Sequence, residues 1–500
     1  MTPALDEELL SRLSDVVSER LGLSFPKERW GDLERGLRTA APELGFDSVE
    51  STLHWFLSTN PDRRHTETLA SHLTVGETYF FRDPRTFRAL REHILPSLIS
   101  LRSEHRRLRL WSAGCCTGEE PYSLAILLHS LIPDYRQWTI TILATDINPR
   151  FLQKAARGVY GEWSFRETPS WIKEQYFTQT REGRFEILPI IKDSVVFAPL
   201  NLVDDSYPSF LTNTNAMDLV LCRNVLMYFR PQTTRSVAAK LSQSLMSDGW
   251  LLVSPSEMSQ ALFPEFETAH VGEALCYRKR ARSMPVAIAS QEFIPLHPEI
   301  EPQTDVSEIQ STAPEPAIPT SMGDEDPSVQ ETEPSQDLRE IAYAEYERGA
   351  FDLAASHIQT LLEIQPEDAS LVALLARSLA NQGDLDGAEA LCLKAIKTDK
   401  LNPVLRYLHA TIVHEIGRDD DAIHSLQESI YLNPDFPLSH FLLGTLSLRG
   451  GNGKQADRHF HWAMHLLASF SQQDVLPDSE GMTAGRLMEI VETIIEKAEA

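Results

Sequence analysis

Cysteine is scarce in this chain of 500 residues: five thiols, an odd number, with no C-x-x-C pair. That excludes a disulfide framework and a zinc ribbon, and it is what reduced thiols in a cytoplasmic protein look like. Cations are also in short supply. Lys and Arg number 46 against 72 Asp and Glu, a formal net charge of −26. Neutralising phosphate takes clustered cations, so neither nucleic acid nor an anionic membrane is expected as the main partner. No run of about 18 apolar residues occurs, so direct membrane insertion is not expected. The acidic opening, Met1 to Leu10, lacks the basic and apolar blocks of a signal peptide. His461 and His465 have a metal-compatible spacing, with His459 beside them. Without a third ligand type nearby they read as surface histidines, and no metal site is expected.

What is present suits a chain with real cores: 42% hydrophobic and 24% charged residues. The length allows about three to five domains. Charge locates the main boundary. Residues 284–337 hold twelve acidic residues and nine prolines but no Lys or Arg. With so little to bury, this stretch is expected to be a disordered, self-repelling linker.

Beyond it, glycines fall at Gly349, Gly383, Gly417 and Gly451, a spacing of 34 residues. Alanines follow five residues after each, and Ala342, Ala376, Ala410 and Gly444 precede each by seven. Small residues at three fixed phases suit close helix crossings, and glycine suits the turn between the helices. The pattern resembles tetratricopeptide (TPR) repeats over residues 338–470, with a capping helix in 471–500. Such solenoids present a concave surface to peptides or partner proteins, here of unknown identity.

The first block divides again. Residues 1–75 show helical periodicity without strand signals, which implies a small helical subdomain. In 76–283 the character becomes α/β. Leu108–Trp111 is a short strand, residues 112–118 form a loop of small residues, and Glu119-Glu120-Pro121 opens an apolar helix. A second strand ends at Asp146, where a ribose diol would be hydrogen-bonded. Further strands are expected at 195–198, 217–222 and 251–253, the last after a turn at 247–249. The segment 158–191 breaks the rhythm and suggests a small strand insert. The dinucleotide fingerprint G-x-G-x-x-G is missing, and two carboxylates stand where a pyrophosphate would sit. Phosphate there would cost several kcal/mol at low effective dielectric. S-adenosylmethionine carries an ammonium and a sulfonium and no phosphate, so the charge pattern favours it.

Four stretches then carry a resemblance: Glu77–Arg82 (ETYFFR), Trp111–Ser123 (WSAGCCTGEEPYS), Thr145–Ile147 with Ala156–Tyr160, and Cys222–Phe229 (CRNVLMYF). In order and spacing, residues up to about 283 resemble the CheR-type chemotaxis methyltransferases. The resemblance implies a Rossmann-like class I methyltransferase sheet behind the helical subdomain, followed by the all-α TPR solenoid. It implies S-adenosylmethionine as cofactor, S-adenosylhomocysteine as product, and methyl-ester formation on glutamates of chemoreceptor cytoplasmic signalling domains. It further implies that Thr78 and Arg82 touch the cofactor, that Glu119 holds its ammonium and Asp146 its ribose. Asn201 and Leu202, with Arg223 and Asn224, would line the adenine and methionine parts, and Arg82 and Tyr228 would flank the transferred methyl as catalytic residues. One departure stands out: Gly76 occupies a cofactor-side position where the family usually has asparagine. A weakened pocket would leave the alternative of a cofactor-binding scaffold whose solenoid assembles a signalling complex.

Overall fold

The computed structural model describes residues 6–280 and 333–499, apart from 60, 62, 204–206, 210 and 211. Four helices come first: α1 (Glu7–Leu21), α2 (Trp30–Ala40), α3 (Val49–Ser58) and α4 (Arg63–Leu73). Their apolar stripes close on a core of their own around Leu13, Leu33, Leu37, Leu53 and Leu69, all fully buried. Two short helices, α5 (Pro84–Ala89) and α6 (Leu95–Leu101), lead into the α/β unit.

That unit alternates β1 (Arg107–Ala113), α7 (Glu119–Leu131), β2 (Thr139–Asp146) and α8 (Pro149–Arg157). After an insert come β6 (Val195–Pro199), β7 (Met217–Leu221), α11 (Pro231–Ser244), β8 (Leu245–Leu252), β9 (Phe266–Val271) and β10 (Ala274–Lys279). The sheet order is β6-β2-β1-β7-β8-β10-β9. Its first five strands are parallel, and β10 runs antiparallel to both neighbours. Strands central to a parallel sheet are covered on both faces, which explains the unbroken burial of β7. The strand order reverses at β1, so a crevice opens at the carboxyl ends of β1 and β7. The insert consists of β3 (Val159–Tyr160), α9 (Ser170–Tyr176), β4 (Phe177–Gln179), β5 (Phe185–Ile187) and α10 (Pro189–Lys192). Its strands form a separate sheet, β3-β5-β4.

One expectation needs correcting. The turn expected at 247–249 lies inside β8, which begins at Leu245. The pairing with β7 shifts register there, and Asp248 has φ +64°. The turn signal is a bulge within a longer strand.

The acidic stretch read as a linker lies outside the described residues as far as 332, while its last residues, from Glu333, belong to a helix. Eight helices then pair as hairpins: α12 (Glu333–Glu347) with α13 (Phe351–Ile364), α14 (Ala369–Asn381) with α15 (Leu385–Thr398), α16 (Pro403–Ile416) with α17 (Asp419–Leu432), and α18 (Pro437–Arg449) with α19 (Gly453–Leu467). The four periodic glycines sit in the turns with φ between +71° and +92°, a conformation that an L side chain resists. A last helix, α20 (Ala484–Glu499), buries Leu487 and Val491 against the end of the solenoid. His459 packs against His440, with ring nitrogens 3.2 Å apart, while His461 and His465 are exposed. Among the described residues, no helix is long and apolar enough to cross a membrane.

The solenoid docks on the α/β unit with its repeat turns. Gly349 faces Gln243 and Gly383 faces Met246. Glu415, on α16, accepts from Arg107 at 2.6 Å and from the buried Arg109, both at the start of β1. Burial pushes the Arg109 guanidinium down to about 10, against the opposing pull of Glu415. At the far end Arg486 on α20 donates to the Pro199 carbonyl at 2.6 Å. Removing one member of a buried pair leaves an uncompensated charge. Glu415→Ala is therefore expected to destabilise the protein by about 3–5 kcal/mol, read as an earlier urea-unfolding transition, with Glu415→Gln costing less.

Candidate active site

The crevice at the switch point is a cavity of about 1050 Å³, counting its open mouth. Its floor is the loop after β1. The amides of Gly114 and Cys115 donate to the Thr145 carbonyl at 2.8 and 2.9 Å, which ties this loop to the end of β2. At the tip of β2, Asp146 accepts from the amides of Cys116 (2.8 Å) and Asn148 (2.9 Å). Burial raises its carboxyl to about 6, partly offset by those amides. Each oxygen keeps a further acceptor site for a ligand hydroxyl.

Two adjacent carboxylates open α7 and take different directions. Glu119, 1% exposed, accepts from the hydroxyls of Thr117 (2.6 Å) and Ser164 (3.0 Å) and does not line the cavity. Glu120 does line it, accepting from Ser112 at 2.8 Å and from Arg223 at 3.1 Å. Helix geometry separates the two carboxylates. Successive residues of an α-helix point about 100° apart, and the turn of α7 aims the second carboxylate inward.

Arg223, directly beyond β7, is nearly fully buried. Besides Glu120 it donates to the Arg82 carbonyl at 2.7 Å and lies 3.6 Å from Asp83. This clamps residues 77–83 over the cavity, where Thr78 and Arg82 both line it. The Arg82 guanidinium donates to the Glu77 carbonyl at 2.7 Å and is only partly buried. Asn224, with φ +59°, begins a loop whose amides at 224, 225 and 227 all donate to the Glu257 carboxylate, at 2.8 to 3.1 Å. That loop presents Val225, Tyr228 and Phe229 to the cavity. Asn201 and Leu202 line the opposite side, and Asn201 donates to the Arg20 carbonyl at 2.7 Å.

Gly76 is exposed and is not among the lining residues. A Cβ there would meet the ring of Phe151 at 2.8 Å, and Phe151 itself lines the cavity. The ring takes the space an asparagine side chain would need. Of the residues named from the sequence, the cavity gathers Thr78, Arg82, Asp146, Asn201, Leu202, Arg223, Asn224 and Tyr228, and leaves out Gly76 and Glu119.

Sequence reasoning missed three contributors. Leu21, Leu23, Phe25 and Arg29 make the helical subdomain a wall of the cavity, and no local motif announces it. Phe151 is likewise unmarked. Glu257 had a signal: Ser254-x-x-Glu257 is a capping box, and both of its reciprocal hydrogen bonds form.

The donor set fits S-adenosylmethionine. Carboxylates of Glu120 and Asp146 stand in a chamber with apolar walls on several sides, Arg223 being paired with Glu120, and acidic side chains cover the amino end of α7, where a polyphosphate would bind. Glu120 could hold an ammonium and Asp146 a ribose diol, with apolar walls for the adenine. When bound, that cofactor supplies a methyl group activated on a sulfonium.

Comparison with known proteins agrees. Residues 76–271 match the family model described as CheR methyltransferase, SAM binding domain, and residues 345–412 match a tetratricopeptide repeat model. A "Chemotaxis protein methyltransferase" of Borreliella burgdorferi is 32% identical over 256 residues, covering 51% of this chain and 89% of that protein. "Chemotaxis protein methyltransferase 2" of Vibrio cholerae is 32% identical over 41% of this chain and 70% of its own length. The "Probable biofilm formation methyltransferase WspC" of Pseudomonas aeruginosa is 25% identical, but over 77% of this chain and 98% of that protein, so the likeness runs past the α/β unit. The chain belongs to the CheR family of S-adenosylmethionine-dependent methyltransferases and carries TPR repeats behind its catalytic unit.

Proposed function

We propose that this protein methyl-esterifies glutamate side chains on the cytoplasmic signalling domains of chemoreceptors, and that its solenoid recruits a protein partner. The nature of the cavity lining supports this reading. Methyl transfer from a sulfonium is an in-line displacement, and the acceptor must arrive as a nucleophile or be deprotonated in place. No histidine or lysine is among the described lining residues. Burial pushes the Cys115 thiol well up and that of Cys116 up to about 12, so neither is an available thiolate at neutral pH. The Asp146 carboxylate is held by the Cys116 and Asn148 amides, and its remaining acceptor sites are given to the cofactor's ribose in this reading. A glutamate side chain, with an ordinary pKa of about 4.3, is already ionised at neutral pH and needs no base.

The chain's own groups then have three tasks. Residues 77–83 and the 224–229 loop restrict access of water and aim the acceptor. Arg82, a planar cation at the mouth, can grip the incoming carboxylate. Tyr228, from the facing loop, can donate a hydrogen bond to it. Glu120 sets the negative potential on which a cationic donor rests, with Arg223 holding its carboxylate in place.

Incubation with radiolabelled S-adenosylmethionine and receptor-containing membranes is expected to give label that mild alkali releases as volatile methanol. Alkali-stable label would mean transfer to nitrogen and would overturn the proposal. Arg82→Ala is expected to lower turnover by about 100-fold while leaving circular dichroism unchanged; near-normal methylation would remove Arg82 from the reaction. Glu120→Gln is expected to weaken cofactor binding by about tenfold or more in isothermal titration, since a charge-assisted contact becomes a neutral one.

A further inference from the structure

The segment joining α19 to α20 does not run along the outside of the solenoid. It folds back across the first helices of the repeats. Asp478 accepts from Arg377 on α14 at 2.7 Å. Two residues on, Glu480 accepts from the Tyr346 hydroxyl on α12 at 2.8 Å, and the Asn381 amide on α14 lies 3.5 Å away. These donors come from two successive repeats and are 99 to 134 residues away from their acceptors in sequence. Arg377 and Tyr346 are partly buried. Burial and the neighbouring Glu480 hold the Tyr346 hydroxyl well above its ordinary range.

The fit of this tip is imperfect in three respects. Asp478 and Glu480 both adopt left-handed backbone, φ +59° and +53°, which costs non-glycine residues free energy. A shallow hollow, about 280 Å³ counting the solvent at its mouth, lies among Arg377, Tyr407, Thr411 and the tip. The Asn381 side chain is buried, yet its Oδ1 has no hydrogen-bond partner among the described residues. An extended peptide backbone would bring an N–H to such an acceptor, and the tip brings none.

We infer that the tip is an exchangeable internal ligand, and that the groove it fills is a binding site for an acidic peptide segment of a partner protein, presenting two carboxylates with one residue between them. The tip shows which chemistry the groove accepts. An arginine and a phenol answer the two carboxylates, and the free amide oxygen awaits a backbone N–H. A partner segment free of the left-handed kinks would satisfy the same donors with less strain. Because the internal ligand is tethered, it competes at high effective concentration, so the intact protein binds such a peptide weakly until the tip is released. This site is independent of the methyl-transfer chemistry proposed above.

The probe is a fluorescein-labelled peptide of residues 473–483, followed by anisotropy against the full-length chain. Asp478→Asn with Glu480→Gln, which keeps the shape of the tip and removes its charge, is expected to raise affinity for the peptide at least tenfold over the wild type. The same two changes placed in the peptide are expected to lower its affinity for that variant at least tenfold. Equal binding of the acidic and amide peptides, or no gain in the variant, overturns the proposal. Tighter binding of a peptide of residues 323–335 would overturn the assignment to a partner in favour of this chain's own acidic stretch. Hydrogen exchange on the wild-type chain supplies a readout independent of the variant's folding. Excess acidic peptide is expected to speed exchange at residues 474–482, and unchanged exchange there counts against displacement.

Discussion

The catalytic edge of this protein is organised around one buried charge. Arg223 stands at the end of β7 with almost no access to water, and its guanidinium is shared between Glu120, the Arg82 carbonyl and, more distantly, Asp83. A buried cation without partners is costly, so these groups are compelled to converge. Through them the start of α7, the end of β7 and the 77–83 stretch, far apart in the chain, are held at one place. The same requirement coincides with local strain. Phe81, Asp83 and Asn224 all have positive φ, a clustering that folded proteins support where a site needs a particular presentation of side chains.

Around that centre the pocket is assembled from pieces that do not belong to the α/β sheet. The Ser24 amide donates to the Tyr228 carbonyl at 2.7 Å, and Asn201 reaches the end of α1. The helical subdomain is thereby sealed to the two loops that face it. Glu257 performs the corresponding service from behind, satisfying the amide donors of residues 224, 225 and 227. The loop that carries Tyr228 thus rests on Glu257, which does not itself line the cavity.

The solenoid occupies the opposite edge of the sheet. Arg107 and Arg109 lie at the start of β1, whereas the loop that lines the cavity follows its end. The solenoid and the cavity are therefore separated by the length of a strand. The separation is not complete, because α20 returns to the other side of the molecule. Arg486 holds the Pro199 carbonyl, immediately before Leu200, Asn201 and Leu202 of the cavity. The repeats, their closing segment and the pocket form one connected set of contacts.

Local chemistry carried much of this in the sequence. Apolar periodicity, the start signals of α7, the acid at the tip of β2 and the 34-residue phase of small residues are properties of short stretches, and they declare strands, helices and repeats before any folding. The charge of the pocket was legible for the same reason, since two adjacent carboxylates at a helix start exclude phosphate whichever of them points inward. Which one does was decided by the packing of α7, because neighbouring side chains diverge by about 100° and only the rest of the fold sets the rotation. Gly76 shows the same limit. As a letter it is a missing hydrogen bond, and in three dimensions it is the space taken by a phenylalanine 75 residues further on. The wall built by the first helices, the docking of Glu415 on β1 and the acidic tip laid across the repeats are pairings between distant segments. Sequence by itself determined what each segment can become; tertiary structure alone decided which segments meet, because burial and charge pairing belong to the assembled fold and not to any stretch of chain.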